Sequence, residues 1–92
     1  MAQKAKSKLF EWQQRAALGG ECQKCRQWVS KLSVDHILPD WFIRCFDPTD
    51  DMRFEDEENF EMLCYVCNHI KSGRIDKFHP KIKHLILKYI NL

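Results

Sequence analysis

The sequence predicts a small α+β domain, in which a core of strands and a short helix lies between an N-terminal and a C-terminal helix. The chain has 92 residues, and a chain of this length buries only about 60–65% of its unfolded surface. Such a domain commonly needs a staple. Four cysteines form two Cys-x-x-Cys pairs, and both two-residue and helical hydrophobic periods occur along the chain. We therefore expect a single domain over residues 1–92, held together by a metal ion.

Composition and hydropathy exclude two broad classes. With 45% hydrophobic and 12% aromatic residues, three Gly and three Pro, the chain resembles a folded domain and not a disordered segment. The longest hydrophobic run is six residues, 62–67, whereas a membrane-spanning helix needs about 18. No apolar stretch follows the basic N-terminus, as a secretory signal would require. We expect a cytoplasmic protein without a membrane partner.

Charge is distributed in three blocks around a formal net charge of +2. Residues 1–39 carry seven Lys/Arg against three Asp/Glu, and residues 62–92 carry six against one. Between them, residues 40–61 carry two Lys/Arg against nine Asp/Glu. Two basic flanks suit a polyanionic partner, although charge blocks are usually solvated faces.

The first predicted element is a helix over Lys4–Leu18, within an N-terminal part that spans residues 1–19. Its apolar stripe is Leu9, Trp12 and Ala16. The pair Gly19-Gly20 ends it, because glycine readily adopts the left-handed conformation that follows a helix. A strand is predicted over Gln27–Val34, where apolar and polar residues nearly alternate.

Pro39 is expected to close that strand. Residues 40–58 form a long acidic connection rich in turn-forming residues, and a short helix is predicted within it around Trp41–Phe46. A second strand is predicted over Phe60–Leu63, directly before the second cysteine pair.

Two helices are predicted after the second cysteine pair. The first covers Cys67–Arg74, ends at Gly73 or shortly after it, and completes a core that spans residues 20–74. The second is an amphipathic helix within residues 75–92, with Pro80 at a first-turn position. Its apolar stripe is Ile82, Leu85, Ile86, Tyr89 and Ile90. Off that stripe lie Lys81, Lys83 and Lys88, where either solvation or phosphate contact is expected.

The cysteines are the most informative residues. The chain has five, an odd number that rules out a fully paired disulfide framework. Two separated Cys-x-x-Cys pairs commonly place four thiolates around one structural Zn²⁺, here Cys22, Cys25, Cys64 and Cys67. Buried reduced cysteines, a redox pair and an iron site are the alternatives. Cys45 stands alone and is expected to be a small core residue.

Several polar residues flank the cysteine pairs. The 38 residues between the pairs exceed the roughly 15–20 of a simple zinc ribbon. Asp35 and His36 lie at the end of the first predicted strand, and Asn59 precedes Cys64 by five residues. Asn68 follows Cys67 directly, and Lys71 comes one helical turn later. If one metal ion holds both pairs, these distant segments become neighbours.

The order Cys-x-x-Cys, Val-Asp-His-Ile-x-Pro and Asn-Phe-x-x-Leu-Cys-x-x-Cys-Asn-x-x-Lys resembles the HNH endonuclease family. This family is the zinc-containing branch of the ββα-metal nucleases, and the resemblance covers about residues 20–74. Because Asn68 follows the last cysteine, the chain is similar to the HNN-type variant, to junction resolvases of the endonuclease VII type and to phage HNH nucleases. The resemblance implies a small zinc-stapled ββα-metal core.

Phosphodiester hydrolysis explains why these residue types would be needed. A water must lose a proton near neutral pH, and His36 has a suitable side chain for a general base. Asp35 and Asn68 offer oxygen ligands to a catalytic divalent ion, Mg²⁺ or Mn²⁺, with Ni²⁺ as a further candidate. The resemblance implies that Asn59 orients His36. Lys71 and Arg74 are candidate contacts to a DNA phosphate.

Alternatives remain at each of these positions. His69 could be the metal ligand in place of Asn68, because neighbouring helical residues differ by about 100° in direction. Asn59 could cap a loop, and Lys71 could be an exposed lysine. Asp35 and His36 point to opposite faces of a regular strand, unless the turn towards Pro39 redirects one of them. The remaining histidines, His79 and His84, are expected to be surface or core residues.

The leading hypothesis is a metal-dependent DNA endonuclease that leaves 5′-phosphate and 3′-hydroxyl ends, as the resemblance implies. DNA is then the partner, in a bacterial or phage-infected cell, with a homodimer or a larger phage or host DNA-processing complex around it. Basic residues for the phosphate backbone are Arg74, Lys77, Lys81, Lys83 and Lys88. A zinc-stapled nucleic-acid-binding module without catalysis is the alternative. A protein-interaction domain that uses the acidic residues 40–61 ranks third.

Overall fold

Helices and two small antiparallel sheets make up the fold. The computed structural model describes residues 7–46 and 51–90. In chain order its elements are α1 Lys8–Ala16, β1 Gly20–Glu21, β2 Trp28–Val29, β3 Ser33–His36, α2 Asp40–Phe46, α3 Asp51–Glu55, a 3₁₀ turn Glu57–Asn59, β4 Phe60–Leu63, α4 Tyr65–Lys71 and α5 Ile82–Ile90. This composition confirms the predicted α+β class.

The two sheets differ in length and in position along the chain. Strands β1 and β2 pair as a short hairpin around the first cysteine pair, with Gly20 opposite Val29. Strands β3 and β4 pair along their whole length, from Ser33 opposite Leu63 to His36 opposite Phe60. The helix α4 begins directly after β4 and packs against both strands. These three elements therefore form a strand–strand–helix unit.

The N-terminal helix is shorter than predicted. The structure places α1 at Lys8–Ala16, after the capping residue Ser7, and the predicted residues before position 7 lie outside the described part of the chain. Gly19 follows with φ of +84°, and a Cβ atom there would stand 2.6 Å from the carbonyl oxygen of Val29. Only glycine fits this close approach of two backbones.

The prediction of one continuous strand over Gln27–Val34 is wrong. The segment contains β2 and β3, which belong to different sheets. Between them the backbone N–H of Leu32 donates to the carbonyl of Ala16 at 2.9 Å, and the Leu32 side chain is buried. This hydrogen bond holds the segment between β2 and β3 against the end of α1. The residues with the alternating pattern therefore belong to two sheets, since β2 pairs with β1 and β3 pairs with β4.

The acidic connection contains more structure than predicted. The predicted helix around Trp41–Phe46 is confirmed as α2, and α3 and the 3₁₀ turn follow it. Cys45 is exposed, and its thiol donates to the carbonyl of Trp41 at 3.3 Å. The prediction of a core cysteine is therefore wrong, because α2 directs Ile43 inwards and leaves Cys45 on its outer side.

The helix after the second cysteine pair begins and ends earlier than predicted. Cys64 caps it, since its sulfur accepts the backbone N–H of Cys67 at 3.4 Å. Ser72 adopts a left-handed conformation with φ of 45° and ends the helix before Gly73 is reached. The predicted end at Gly73 or shortly after it is therefore too late, although Gly73 is also left-handed, with φ of 73°.

The core consists of two clusters. The larger lies beneath α5 and contains Ile37, Leu38, Ile43, Ile82, Leu85 and Tyr89. The smaller surrounds the cysteine pairs and contains Ala16, Cys22, Leu32, Leu63 and Cys64. The predicted stripe of α5 is confirmed at its centre, although Ile90 remains 52% exposed. In the described residues, no helix is both long and apolar enough to cross a membrane.

Two contacts to Asp56 attach α5 to the segment before β4. The hydroxyl of Tyr89 donates to one carboxylate oxygen at 2.7 Å, and the ammonium of Lys88 donates to the other at 2.9 Å. Solvation and phosphate contact were the two roles expected for Lys88, and the structure adds a third, an ion pair with Asp56.

We expect Leu85→Ala to lower the free energy of unfolding by about 2–5 kcal/mol, because it leaves a cavity in the larger cluster. Leu87→Ala is the matched control on the same helix, since Leu87 is 51% exposed and its truncation should cost below about 0.5 kcal/mol. Urea unfolding of both variants checks this. Equal losses would contradict the burial pattern of α5.

Candidate functional site

The four predicted ligand cysteines lie together. The sulfur atoms of Cys22, Cys25, Cys64 and Cys67 are all within 4.8 Å of one another. Those of Cys25 and Cys64 are 3.8 Å apart, and a tetrahedral zinc ion with Zn–S bonds of about 2.3 Å separates its sulfurs by about 3.8 Å. The cluster can therefore hold a metal ion such as zinc, with Cys22 and Cys64 buried and Cys25 exposed.

Backbone hydrogen bonds position the two cysteine pairs against each other. The N–H of Gln23 donates to the carbonyl of Met62 at 3.0 Å, and the N–H of Met62 donates to the side-chain oxygen of Gln23 at 2.6 Å. The first pair is thus tied to β4, the strand that leads into the second. The sulfur positions follow from this backbone geometry.

The cluster already favours one thiolate. Burial acts to raise the pKa of Cys22, but hydrogen bonds from the backbone N–H groups of Cys25, Cys64 and Lys24 outweigh it and lower the pKa to about 6. Burial and hydrogen bonds with the other three thiols raise the pKa of Cys67 to about 12. A metal ion must therefore displace protons from the cluster when it binds.

Asp35 and Lys71 form a buried ion pair between β3 and α4. The ammonium of Lys71 lies 2.5 Å from a carboxylate oxygen of Asp35 and also donates to the backbone carbonyl of His36. The side chain of Lys71 is only 4% exposed, and that of Asp35 is 15% exposed. The alternative of an exposed lysine is wrong, because the helix carries Lys71 inwards against β3.

The side chain of His36 lies on the opposite face of the hairpin. Its ring packs edge-to-face on Phe60, with ring centroids 5.4 Å apart. The Nε2 atom is 2.6 Å from the carbonyl oxygen of Arg53, so Nε2 carries the proton and donates it. The neutral ring then has its free lone pair on Nδ1. The strand stays regular through His36, and the expected redirection at its end does not occur.

Asn59 is completely buried and acts on the backbone after His36. Its amide oxygen accepts the N–H of Leu38 at 2.7 Å, and its amide nitrogen donates to the carbonyl of Leu38 at 3.1 Å. The backbone of Asn59 also accepts the N–H of Ile37 at 2.8 Å. The amide oxygen and the amide nitrogen therefore both bind the loop, and the His36 ring contacts the carbonyl of Arg53 and the ring of Phe60.

Three further candidate residues lie within α4 or shortly after it. Asn68 precedes Lys71 by three positions, so the two residues are neighbours on the helix surface. The ring of His69 stacks on Tyr65, with centroids 5.9 Å apart, on the exposed side. The guanidinium of Arg74 donates to the carbonyls of Ile70 and Lys71, which caps the C-terminus of α4.

Glu61 and His79 extend the ion pair into a buried network. Glu61 lies opposite Asp35 on the β3–β4 ladder, and its carboxylate is 3.3 Å from Nε2 of His79. Burial, followed by repulsion from Asp35, raises the pKa of Glu61 to about 7. Burial also lowers the pKa of His79. A neutral His79 fits the geometry, because its Nδ1 accepts the backbone N–H of Lys81 at 3.0 Å.

A cleft of about 370 Å³ adjoins this network. Glu61 and His79 contribute to its lining, together with the basic residues Lys24, Arg26 and Lys81. Sequence reasoning did not select Glu61 as a site residue, although an acidic residue in an otherwise apolar strand was an available signal. Only the strand register places it beside Asp35.

The predicted site residues are thus only partly brought together. Asp35, Lys71 and the face of α4 that carries Asn68 meet on one side of the β3–β4 hairpin. The ring of His36 lies on the other side, against Phe60 and the carbonyl of Arg53, and the part of His36 that contacts Lys71 is its backbone carbonyl. Comparison with family models, curated proteins and solved structures found no match to this chain.

We expect the purified chain to hold one metal ion at the cysteine cluster and to lose it on Cys22→Ser. Binding of about 10–16 kcal/mol contributes directly to folding, whereas a domain has a net stability of only about 5–15 kcal/mol. The variant should therefore lose its cooperative unfolding transition. Cys45→Ser is the control, because Cys45 lies outside the cluster. Elemental analysis and circular dichroism measure both effects, and a stable metal-free variant would contradict the assignment.

The raised pKa of Glu61 predicts a pH-dependent stability. Because its pKa is about 7 in the folded chain and 4.5 as the reference value, the folded chain retains a proton that the unfolded chain has released. The free energy of unfolding therefore falls as pH rises from about 4.5 to 7, by on the order of 3 kcal/mol.

Glu61→Gln removes this dependence, so the variant should become more stable than the parent chain as pH increases from 5.5 to 8.5. Glu55→Gln makes the same charge change at an exposed position and serves as the control. Urea unfolding at each pH, with the cysteine cluster kept loaded, gives the difference. A constant difference between Glu61→Gln and the parent would show that Glu61 does not titrate in this window.

Proposed function

We propose that this chain is a metal-dependent DNA endonuclease of the HNH type, which hydrolyses phosphodiester bonds to 5′-phosphate and 3′-hydroxyl ends. One observation carries the proposal. The strand–strand–helix unit β3–β4–α4 stands on the four-cysteine cluster and brings Asp35 against the helix that follows the last cysteine. The resemblance of residues 20–74 to the HNH motifs, including the HNN-type Asn68, predicts this combination for a zinc-stapled ββα-metal core.

His36 is the proposed general base. Because Nε2 donates to the carbonyl of Arg53, Nδ1 is unprotonated in the neutral ring and can accept a proton from water. The hydrogen bonds of Asn59 with Leu38 support this arrangement, since they hold the backbone two residues after His36. Asn59 is therefore a positioning residue that acts through the loop.

Asp35 and Asn68 are the proposed oxygen ligands of the catalytic ion, Mg²⁺ or Mn²⁺, with Ni²⁺ as a further candidate. A divalent ion bound there would neutralise the negative charge that develops on the phosphoryl oxygens during hydrolysis. The residue types fit such an ion, because a carboxylate and an amide carbonyl are hard ligands. His69 is disfavoured as a ligand by its stacking on Tyr65.

Phosphate contacts would come from basic side chains around the site and from α5. Such contacts position a protein on DNA without reading base sequence, so we propose weak sequence preference for the isolated chain. Double-strand cleavage would then require a homodimer or a larger phage or host DNA-processing complex, in the cytoplasm of a bacterial or phage-infected cell.

A second candidate function is a nucleic-acid-binding module without catalysis. Two observations favour it: Asp35 is engaged by Lys71, and His36 lies on the opposite face of the hairpin from Asp35. In that case Asp35 and His36 are structural residues, and the cysteine cluster only stabilises a basic surface.

A supercoiled-plasmid nicking assay tests the nuclease proposal. We expect zinc-loaded protein to nick plasmid only when Mg²⁺, Mn²⁺ or Ni²⁺ is added. His36→Ala should lower the rate by at least about 100-fold, since general-base catalysis typically contributes about 10²–10⁴-fold. Asp35→Asn should lower it by a similar factor, because it removes the carboxylate ligand of an ion that stabilises the transition state by several kcal/mol.

His84→Ala is the matched control for the loss of an imidazole. His84 is exposed and pairs with Glu58 at 2.9 Å, so this variant should keep the parent rate. Circular dichroism confirms that each variant is folded. Plasmid binding on a gel without cleavage under any ion would instead favour the binding module.

A further inference from the structure

We infer that Lys71 is an internal competitor of the catalytic ion: its ammonium occupies Asp35 when no divalent ion is bound, and ion binding requires its release. The inference rests on the proposed function, because it concerns the same ion at Asp35. It assigns Lys71 a role in setting metal affinity, which the motif resemblance does not give it.

The contacts of Lys71 define the competition. Its ammonium bonds to the carboxylate of Asp35 at 2.5 Å and to the backbone carbonyl of His36, and the residue is 6% exposed. An ammonium with oxygen partners on two sides is in the position that a hard metal ion would take. A lysine is rarely buried unless its charge is paired.

A divalent ion and the ammonium of Lys71 would compete for this carboxylate. Two positive charges a few ångströms apart repel strongly where water is largely excluded, and Asp35 is itself mostly buried. An isolated buried carboxylate is equally unfavourable. Asp35 therefore needs one cation at a time, and the free energy of ion binding is reduced by the free energy of releasing Lys71.

The position of Lys71 in the fold permits this release. It is the last residue of α4, and left-handed residues, Ser72 and Gly73, follow it directly. Its four-carbon side chain can swing away from β3 without unwinding an interior turn of the helix. The released ammonium then has a new anionic partner available, the DNA phosphate that approaches the ion.

A structural ion pair predicts the opposite behaviour. If Lys71 only ties α4 to β3, its ammonium stays on Asp35 whether or not a divalent ion is present. Removal of the ammonium would then destabilise the chain without changing its affinity for ions. The two roles are therefore separated by metal affinity and by the accessibility of the amine.

The first measurement is calorimetric titration of zinc-loaded protein with Mn²⁺. We expect Lys71→Met to bind Mn²⁺ roughly 10–100-fold more tightly than the parent chain, because a hydrogen bond to a charged group contributes by about that factor. Lys24→Met is the matched control. The ammonium of Lys24 lies 3.6 Å from a carboxylate oxygen of Asp76, so its ion pair involves a different carboxylate from that of Lys71. This substitution removes the same charge and should change the affinity less than about threefold.

Asp35→Asn distinguishes a failure of the proposed catalytic ion site from a failure of the competition by Lys71. If it does not weaken Mn²⁺ binding, both the proposed catalytic ion site and the competition are wrong. If Asp35→Asn weakens binding while Lys71→Met does not tighten it, only the competition is overturned. Binding of Mn²⁺ by Lys71→Met alone, and not by the parent chain, would support complete competition.

The second measurement uses the parent chain and so does not depend on the folding of a variant. Lysines are acetylated with an amine-reactive ester and quantified by mass spectrometry, with and without Mn²⁺. We expect Lys71 to be protected without Mn²⁺ and at least fivefold more reactive when Mn²⁺ saturates, with Lys24 unchanged as the internal control. Protection of Lys71 at saturating Mn²⁺ would overturn the inference.

Discussion

The four-cysteine cluster is the constraint on which the rest of the structure depends. It joins residues 22–25 to residues 64–67, and everything between them becomes a closed loop. The pairing of β3 with β4 offsets part of the entropy lost in closing this loop, and a metal ion held by the four cysteines would offset more of it. Because Cys64 is the N-cap of α4, the cluster also influences where this helix, with Asn68 and Lys71, lies relative to β3.

Within this frame, buried charge is balanced locally. Asp35 is paired with Lys71, and the carboxylate of Glu61, opposite Asp35, lies 3.3 Å from Nε2 of His79. A pKa near 7 for Glu61 means that its carboxyl group can stay neutral where a second negative charge would be unfavourable. Below that pH, Asp35 carries the negative charge at this position of the hairpin.

Local sequence patterns predicted a helix or strand correctly where neighbouring residues alone determined the conformation. The apolar period of α5 required a buried face, and the strand predicted directly before the second cysteine pair has the observed bounds of β4. The pattern over Gln27–Val34 failed because a long-range hydrogen bond of Leu32 to Ala16 divides it. A similar limit applies to Cys45, since the direction of a side chain on a short helix depends on what packs beneath it.

By itself, the sequence determined the α+β class, the four-cysteine cluster and the residue types of the candidate site, because ligand spacing and hydrophobic periodicity are local properties. Tertiary structure alone decided what each polar group contacts. It directed Asn59 to the backbone of Leu38, gave the His36 ring the carbonyl of Arg53, and placed Lys71 on Asp35. These contacts depend on strand register and helix packing, which arise only when segments distant in the chain are brought together.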